Sequence, residues 1–307
     1  MKRKLSLMIT AVLLVTMLIV GCGGPAKDNA PLENNNQQQG SNVQTPPPAG
    51  DNVPPAGGEQ NSGDNTFKVG MEAGYAPFNW TQIGDENGGV KIHGNAEYAG
   101  GYDVEIAKKI ADGLGKELVI VKTEWDGLVP SLQSGRIDAI VAGMSPTAER
   151  LLAIDFTDNY YQSDLVMVVK AGGAYDGATS IQDFKGAKIT AQLNTFHYSV
   201  IDQIEGVQKR TAMENFPAMR VALESGIIDG YVSERPEGVS AQAANPNLKF
   251  VEFTDGFETS PEDTAIAVGL VKGSELKDPI NQILAGISVE EQISIMDQAI
   301  LNQPAAQ

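Results

Sequence analysis

The sequence predicts an α/β protein whose sheets are mostly parallel and flanked by helices. From Thr66 onward, short apolar runs alternate with segments of helical period, the arrangement of βαβ units. A phrase also recurs: "LQSGRIDAIVAGMS" (132–145) and "LESGIIDGYVSERP" (223–236) share Leu-x-Ser-Gly-x-Ile-Asp, a strand and a polar turn. Either the two copies mark two similar lobes with a cleft between them, or they are two instances of a common α/β phrase. In the first case each strand emerges at its carboxyl end, where open α/β sheets bind ligands.

"FKVGME" (67–72) reads as the first strand, dense in apolar residues. "DVEIAKKIADGLG" (103–115) reads as a helix: Val104, Ile106, Ala107, Ile110, Ala111 and Leu114 share one face, and Gly115 suits the C-cap. "ELVIVK" (117–122) is a strand, "DGLVPSLQSG" (126–135) a short helix stopped by glycine, and "IDAIVAG" (137–143) a strand. The alternation resumes with "AKITA" (187–191), "TFHYSVIDQIEG" (195–206), "FPAMRVALESG" (216–226), "IDGYV" (228–232) and "LKFVE" (248–252). The stretch 79–104, rich in Gly and Asn, reads as a loop with no assigned function.

The N-terminal 65 residues have a different character. Lys2, Arg3 and Lys4 precede the apolar run from Leu5 to Val20 and then "IVGCGG", a secretory pattern. The run is short for a membrane span, which needs about 20 apolar residues. Residues 23–65 hold almost no large apolar side chain and cannot bury enough surface to fold. A flexible chain of that length spans roughly 35 to 40 Å and would act as a tether.

Composition excludes several classes. The 307 residues suffice for one large domain or two modest ones, and 42% hydrophobic residues allow a real core. With 39 acidic against 22 basic residues the formal charge is −17, which argues against a nucleic-acid partner. A single cysteine, Cys22, rules out an intrachain disulfide and a cysteine metal site, and two histidines argue against a histidine-rich one. No cofactor is expected, and no phosphate-binding loop of the GxxxxGKS type occurs.

"KVGMEAGYAPFNW" (68–80), "GYDVEIAKKIADGLG" (101–115), "EWDGLVPSLQSGRIDAIVAGMSPTAER" (124–150) and "IDFTDNYYQSDLVMVV" (154–169) occur in this order. Together they resemble the polar-amino-acid branch of the ABC-transporter solute-binding proteins, the bacterial extracellular solute-binding proteins of family 3. The resemblance implies a type II periplasmic-binding-protein fold, two lobes that close over a ligand by a hinge. Lobe 1 would comprise 66–160 and 266–307, lobe 2 165–262, with crossings near 160–165 and 262–266. "IVGC" resembles a bacterial lipobox, so Cys22 would be lipidated. Two or more acyl chains would hold the protein at the extracytoplasmic face of a single-membrane bacterium's cell membrane.

The resemblance also implies site residues. Arg150 matches the arginine that grips the ligand's α-carboxylate, where a planar fork gives two parallel hydrogen bonds; otherwise it pairs with Glu149 or Asp155. Gly143, Met144 and Ser145 precede it, and Pro146 suits the first turn of a helix whose free N–H groups would add donors. Glu234 falls where an acid, usually aspartate, accepts from the α-ammonium; otherwise it is an exposed turn residue. Gln192 and Thr195 belong to the lobe 2 loop that reaches the carboxylate. There Asn194 and Phe196 replace glycine or a small residue, and Phe196 either narrows the pocket or belongs to the core. Tyr75 and Trp125 would sandwich the ligand side chain, and Glu72 would meet a polar or basic one, unless all three only line the lobe interface. The expected partners are a free amino acid such as Lys, Arg, His or Gln and an ABC permease, bound by a monomer that is not an enzyme. The alternatives are a cyclohexadienyl-dehydratase-like enzyme on the same fold and a ligand-sensing subunit.

Overall fold

The computed structural model describes residues 65–304; Cys22, the basic and apolar leader and the tether lie outside the described residues. In chain order the first part comprises β1 (Thr66–Met71), β2 (Gly74–Tyr75), β3 (Asn79–Gln82), β4 (Val90–Lys91), β5 (Tyr98–Gly100), α1 (Tyr102–Leu114), β6 (Glu117–Lys122), α2 (Leu128–Gln133), β7 (Ala139–Ile140), α3 (Arg150–Ala153) and β8 (Asp155–Gln162). There follow β9 (Leu165–Lys170), β10 (Lys188–Thr190), α4 (Phe196–Val200), β11 (Gln208–Lys209), α5 (Phe216–Ser225), β12 (Gly230–Glu234), α6 (Arg235–Ala244) and β13 (Leu248–Val251). The chain closes with α7 (Pro261–Thr264), β14 (Ala265–Leu270), α8 (Lys277–Ala285) and α9 (Val289–Asn302).

Two five-stranded sheets organise these elements, in the orders β6-β1-β7-β14-β8 and β11-β10-β12-β9-β13. They share one plan. The first three strands of each pair in parallel, and the last two join antiparallel. The recurring phrase holds in space, since β7 and β12 are the central strands of their sheets. Gly135 and Gly226 both end the preceding helix region in the left-handed conformation. Asp138 then accepts the Lys68 backbone N–H at 2.8 Å, and Asp229 accepts that of Lys188 at 2.9 Å. The shared aspartate is thus a structural tie to the strand alongside, repeated in both sheets.

Helix α1 buries Val104, Ile106, Ala107, Ile110 and Ala111 against the first sheet, with Leu114 half-buried, and ends on Gly115 at φ 66°. Two sequence expectations need correcting. Residues 79–104 are not only loop: β2, β3, β5 and β4 form a small antiparallel sheet, with α1 starting at Tyr102. These strands are two to four residues long, too short to show a period. Pro146 does not open a helix; α3 begins at Arg150 and lasts one turn. Gly101 links the small sheet to α1 at φ 121°, and a Cβ there would lie 2.4 Å from the Phe78 carbonyl oxygen. Gly101→Ala is therefore expected to cost on the order of 1–3 kcal/mol, read as a lower urea midpoint with an unchanged slope.

Candidate cleft for an amino acid

The carboxyl ends of the parallel strands converge on one cavity. Tyr75 follows β1, Trp125 follows β6, and Gly143 and Ser145 follow β7. From the second sheet come Gln192 and Thr195 after β10, with Phe196 and His197 on α4. Together with Arg150 they line a narrow cavity of about 10 Å³, the room of a single water. Met144 lines a larger, open recess at its mouth, which Trp125, Arg150, Thr195 and Phe196 also border. Glu72 does not line the small cavity but a separate one that Ala73, Gly74, Trp80 and Lys122 also line.

Arg150 lies between the two sheets. Its guanidinium donates to the carbonyl oxygens of Ser145 at 3.0 Å and Asn194 at 3.2 Å, and sits 5.0 Å over the Trp125 ring. Asp155 is not its partner, because Lys272 and the Gly273 N–H hold that carboxylate. Among the described residues Arg150 makes no ion pair, and only two of its five N–H donors are engaged. Burial lowers its pKa to about 10, against the pull of Glu149, Glu234 and Asp263. This is a cation facing the cleft with acids nearby but no ion pair among the described residues.

Glu234 closes β12 and is 1% exposed, so it is no exposed turn residue. One carboxylate oxygen accepts the Tyr75 hydroxyl from across the cleft; the other has no hydrogen-bond partner. Burial is the main reason its pKa rises to about 8, and Asp103 and Glu237 push the same way. Glu72 is likewise raised, to about 7, by burial, although Gln192 donates to it at 3.0 Å. Tyr75 stacks on Phe216 with centroids 4.4 Å apart, and Gly143 at φ 61° leaves the space that the Tyr75 ring fills.

His197 and Phe216 escaped the sequence reading. His197 is 6% exposed, lies 3.9 Å from Glu234, and neither ring nitrogen has a hydrogen-bond partner. Burial and the nearby Arg150 depress its pKa to about 3, so the imidazole is neutral. Asn194 adopts φ 55°, which explains an asparagine at a position where glycine is common in the resembled family, since Asn tolerates the left-handed region. Its amide also donates to Asp126 across the cleft at 2.8 Å. Phe196 is both a cavity wall and a half-buried neighbour of the second sheet's apolar cluster. No group of three or more His, Cys, Asp or Glu among the described residues is placed to hold a metal ion.

Glu234 does not itself line the cavity; it lies directly behind Tyr75 and His197, which do. An arginine without an ion pair in the lining and a buried acid behind it fit a zwitterion, and the comparisons agree with that chemistry. A probable histidine-binding protein of Campylobacter jejuni is 34% identical over 195 residues, 63% of this chain and 70% of its own length. The arginine-binding extracellular protein ArtP of Bacillus subtilis is 27% identical over 241 residues, 74% of this chain and 84% of its own. Among solved structures, the amino acid ABC transporter substrate-binding protein AbpA of Streptococcus pneumoniae, bound to L-arginine, superposes with a TM-score of 0.67. It is 25% identical, and the match covers 77% of this chain and 95% of that one. An ancestral arginine-binding protein bound to glutamine gives a TM-score of 0.63 at 31% identity, over 76% and 97% of the two chains. These relatives are solute-binding proteins rather than enzymes. The profile that matches this sequence, from residue 67 to residue 301, assigns the chain to the bacterial extracellular solute-binding proteins, family 3.

Proposed function

We propose that this chain captures a polar or basic amino acid outside the cytoplasm and delivers it to an ABC permease, without chemical change. The observation that supports this most is a pair of unsatisfied charged groups at the cleft: Arg150 in its lining with free donors, and Glu234 just behind Tyr75 with a free oxygen. Arg150 receives the α-carboxylate, with Ser145, Gln192 and Thr195 beside it. Glu234 receives the α-ammonium once the Tyr75 hydroxyl gives way. The side chain then lies among Tyr75, Trp125 and Phe196, beside a recess that Asp126, Glu149 and Asp263 line and that, among the described residues, no cation but Arg150 lines. That balance favours a basic or amide-bearing ligand over an acidic one, because a second buried anion would lack a partner.

Capture requires the two sheets to part and close, with crossings near 160–165 and 262–266 between lobes of 66–160 plus 266–307 and 165–262. Cys22 carries the lipid in this reading, and residues 23–65 hold the folded part away from the membrane. No helix among the described residues is long and apolar enough to cross a membrane. Thermal unfolding against each common amino acid tests the ligand class. A ligand at 100 times its Kd should stabilise by about 2.7 kcal/mol. The expected response is to Arg, Lys, His or Gln, with Asp and Glu silent; a response to Asp or Glu alone would reverse the assignment.

A further inference from the structure

Asp103, the aspartate of "GYDVEIAKK", is fully buried at the start of α1 and does not itself line the cavity, although the backbone N–H of Gly143, which does, also acts on its carboxylate. Its carboxylate accepts two side-chain hydrogen bonds, from the Tyr160 hydroxyl at 2.7 Å and from Asn79 Nδ2 at 2.8 Å. The Tyr160 hydroxyl in turn accepts the backbone N–H of Gly143 at 3.3 Å. Gly143 begins the loop that presents Ser145, whose carbonyl holds Arg150. Three links thus join a buried acid to the cleft.

Tyr160 reaches this place through an irregularity. Tyr161 pairs with Ile266 and Asn159 with Ala267, so Tyr160 is an extra residue in β8 opposite β14. A bulge of this kind re-aims a side chain. The Tyr160 backbone is also held, because its carbonyl accepts the Tyr102 hydroxyl at 2.9 Å. Strand β8 runs on into β9 of the second sheet, and β14 is the strand on which the chain returns. The same loop is tied to β14 as well, since the Ala267 N–H donates to the Met144 carbonyl at 3.1 Å. The 143–145 loop is therefore fastened to both strands that lead between the sheets.

We propose that Asp103 is a positioning residue for the cleft: through Tyr160 it fixes the 143–145 loop, and with it Arg150, to the crossing strands. Opening or closing the cleft then moves the carboxylate-binding loop and its crossing strands as one body. A buried acid suits this role because it accepts from two donors at once and orients the phenol, leaving the phenolic oxygen free to accept from Gly143. The functional half of this proposal rests on reading Ser145 and Arg150 as ligand contacts; the positioning half does not.

The test is Tyr160→Phe, which removes one oxygen, in the intact chain. Hydrogen exchange of ligand-free protein, followed by mass spectrometry, should show the 141–147 segment opening about tenfold more often while β6 is unchanged. Binding of the amino acid that stabilises wild type should weaken about tenfold or more, the scale of one lost hydrogen bond to the loop. Asp103→Asn turns one acceptor into a donor facing Asn79 and should accelerate the same segment; adding Asn79→Asp should restore it. Unchanged exchange at 141–147, acceleration spread evenly over the first sheet, or failure of the double variant to recover would each overturn the positioning role. Faster exchange with unchanged affinity would overturn its importance for binding. If wild type binds no amino acid, the proposed function fails, while the exchange comparison still decides what Asp103 does.

Discussion

Arg150→Ala is expected to weaken amino-acid binding by about 2 to 5 kcal/mol, roughly 30- to 5000-fold in Kd, because it strands a buried ligand carboxylate without its cation. The expectation follows from what Arg150 lacks. It is held by two carbonyl oxygens and one indole face, and makes no ion pair among the described residues. A purely structural arginine would normally face a carboxylate, and the half-buried Arg150 does not. Removing it should therefore leave the unfolding midpoint of ligand-free protein little changed or slightly higher, while affinity collapses. Arg150→Lys should recover only part of the affinity, because an ammonium cannot make the two parallel bonds of the fork. Calorimetric titration checks both; affinity equal to wild type in the alanine variant would remove Arg150 from the site.

Glu234→Gln should have an effect of similar size on binding, about 2 to 5 kcal/mol, and should raise the stability of the ligand-free protein at alkaline pH. Burial holds the Glu234 carboxyl at about 8 in the folded, ligand-free protein, against an ordinary value of 4.5. Between those pH values the folded chain keeps a proton that the unfolded chain has released. The ligand-free protein accordingly loses stability as pH rises from about 4.5 to about 8, and levels off above that. Glu72, raised to about 7 by burial, adds a loss in the same direction. His197, depressed to about 3, acts at the other end: its contribution is lost as pH falls below about 6.5 towards 3. Glutamine has no proton to lose, so the variant should unfold at a higher temperature than wild type at pH 8 to 9. Binding behaves inversely, because the α-ammonium needs the Glu234 anion. Wild-type affinity should rise with pH up to about 8, by at most tenfold per unit, and this dependence should vanish in Glu234→Gln. An affinity flat between pH 6 and 8 in wild type would contradict the role given to Glu234.

How much of this could be read from the sequence depends on how local each cause is. Helix α1 and strand β6 matched their expected spans closely, because an apolar face and a terminal glycine are written within fifteen residues. Arg150 and Glu234 were singled out by the resemblance to the solute-binding proteins; what the recurring phrase adds is that both lie near the carboxyl end of a central strand, Arg150 after β7 and Glu234 at the end of β12. His197 and Phe216 were not, since what makes them notable is the company they keep: Glu234 for the histidine, Tyr75 for the phenylalanine. Nothing within a few residues of either announces those neighbours. The antiparallel strands β8 and β14 pair residues more than one hundred positions apart, so their partnership has no local signal. Asn194 did give one: an asparagine where glycine is common points to a left-handed backbone, which the fold supplies at φ 55°.

Tyr75 competes with any ligand for Glu234 in the proposed reading. Its hydroxyl occupies the acid that a ligand's ammonium would need, and its ring rests on Phe216 of the other sheet's layer. The ligand must exchange for that contact, so the net affinity is the difference between two good interactions rather than the sum of new ones.

The measurement that tests the central claim most directly is calorimetric titration of the purified protein with L-arginine, L-lysine, L-histidine and L-glutamine at pH 8, with L-aspartate and an aromatic hydroxy acid as controls. The account predicts one-to-one binding of at least one of the first four, with the ligand recovered unchanged. Absence of heat from all four, together with binding and consumption of the hydroxy acid, would contradict it and make the protein an enzyme built on a solute-binding fold.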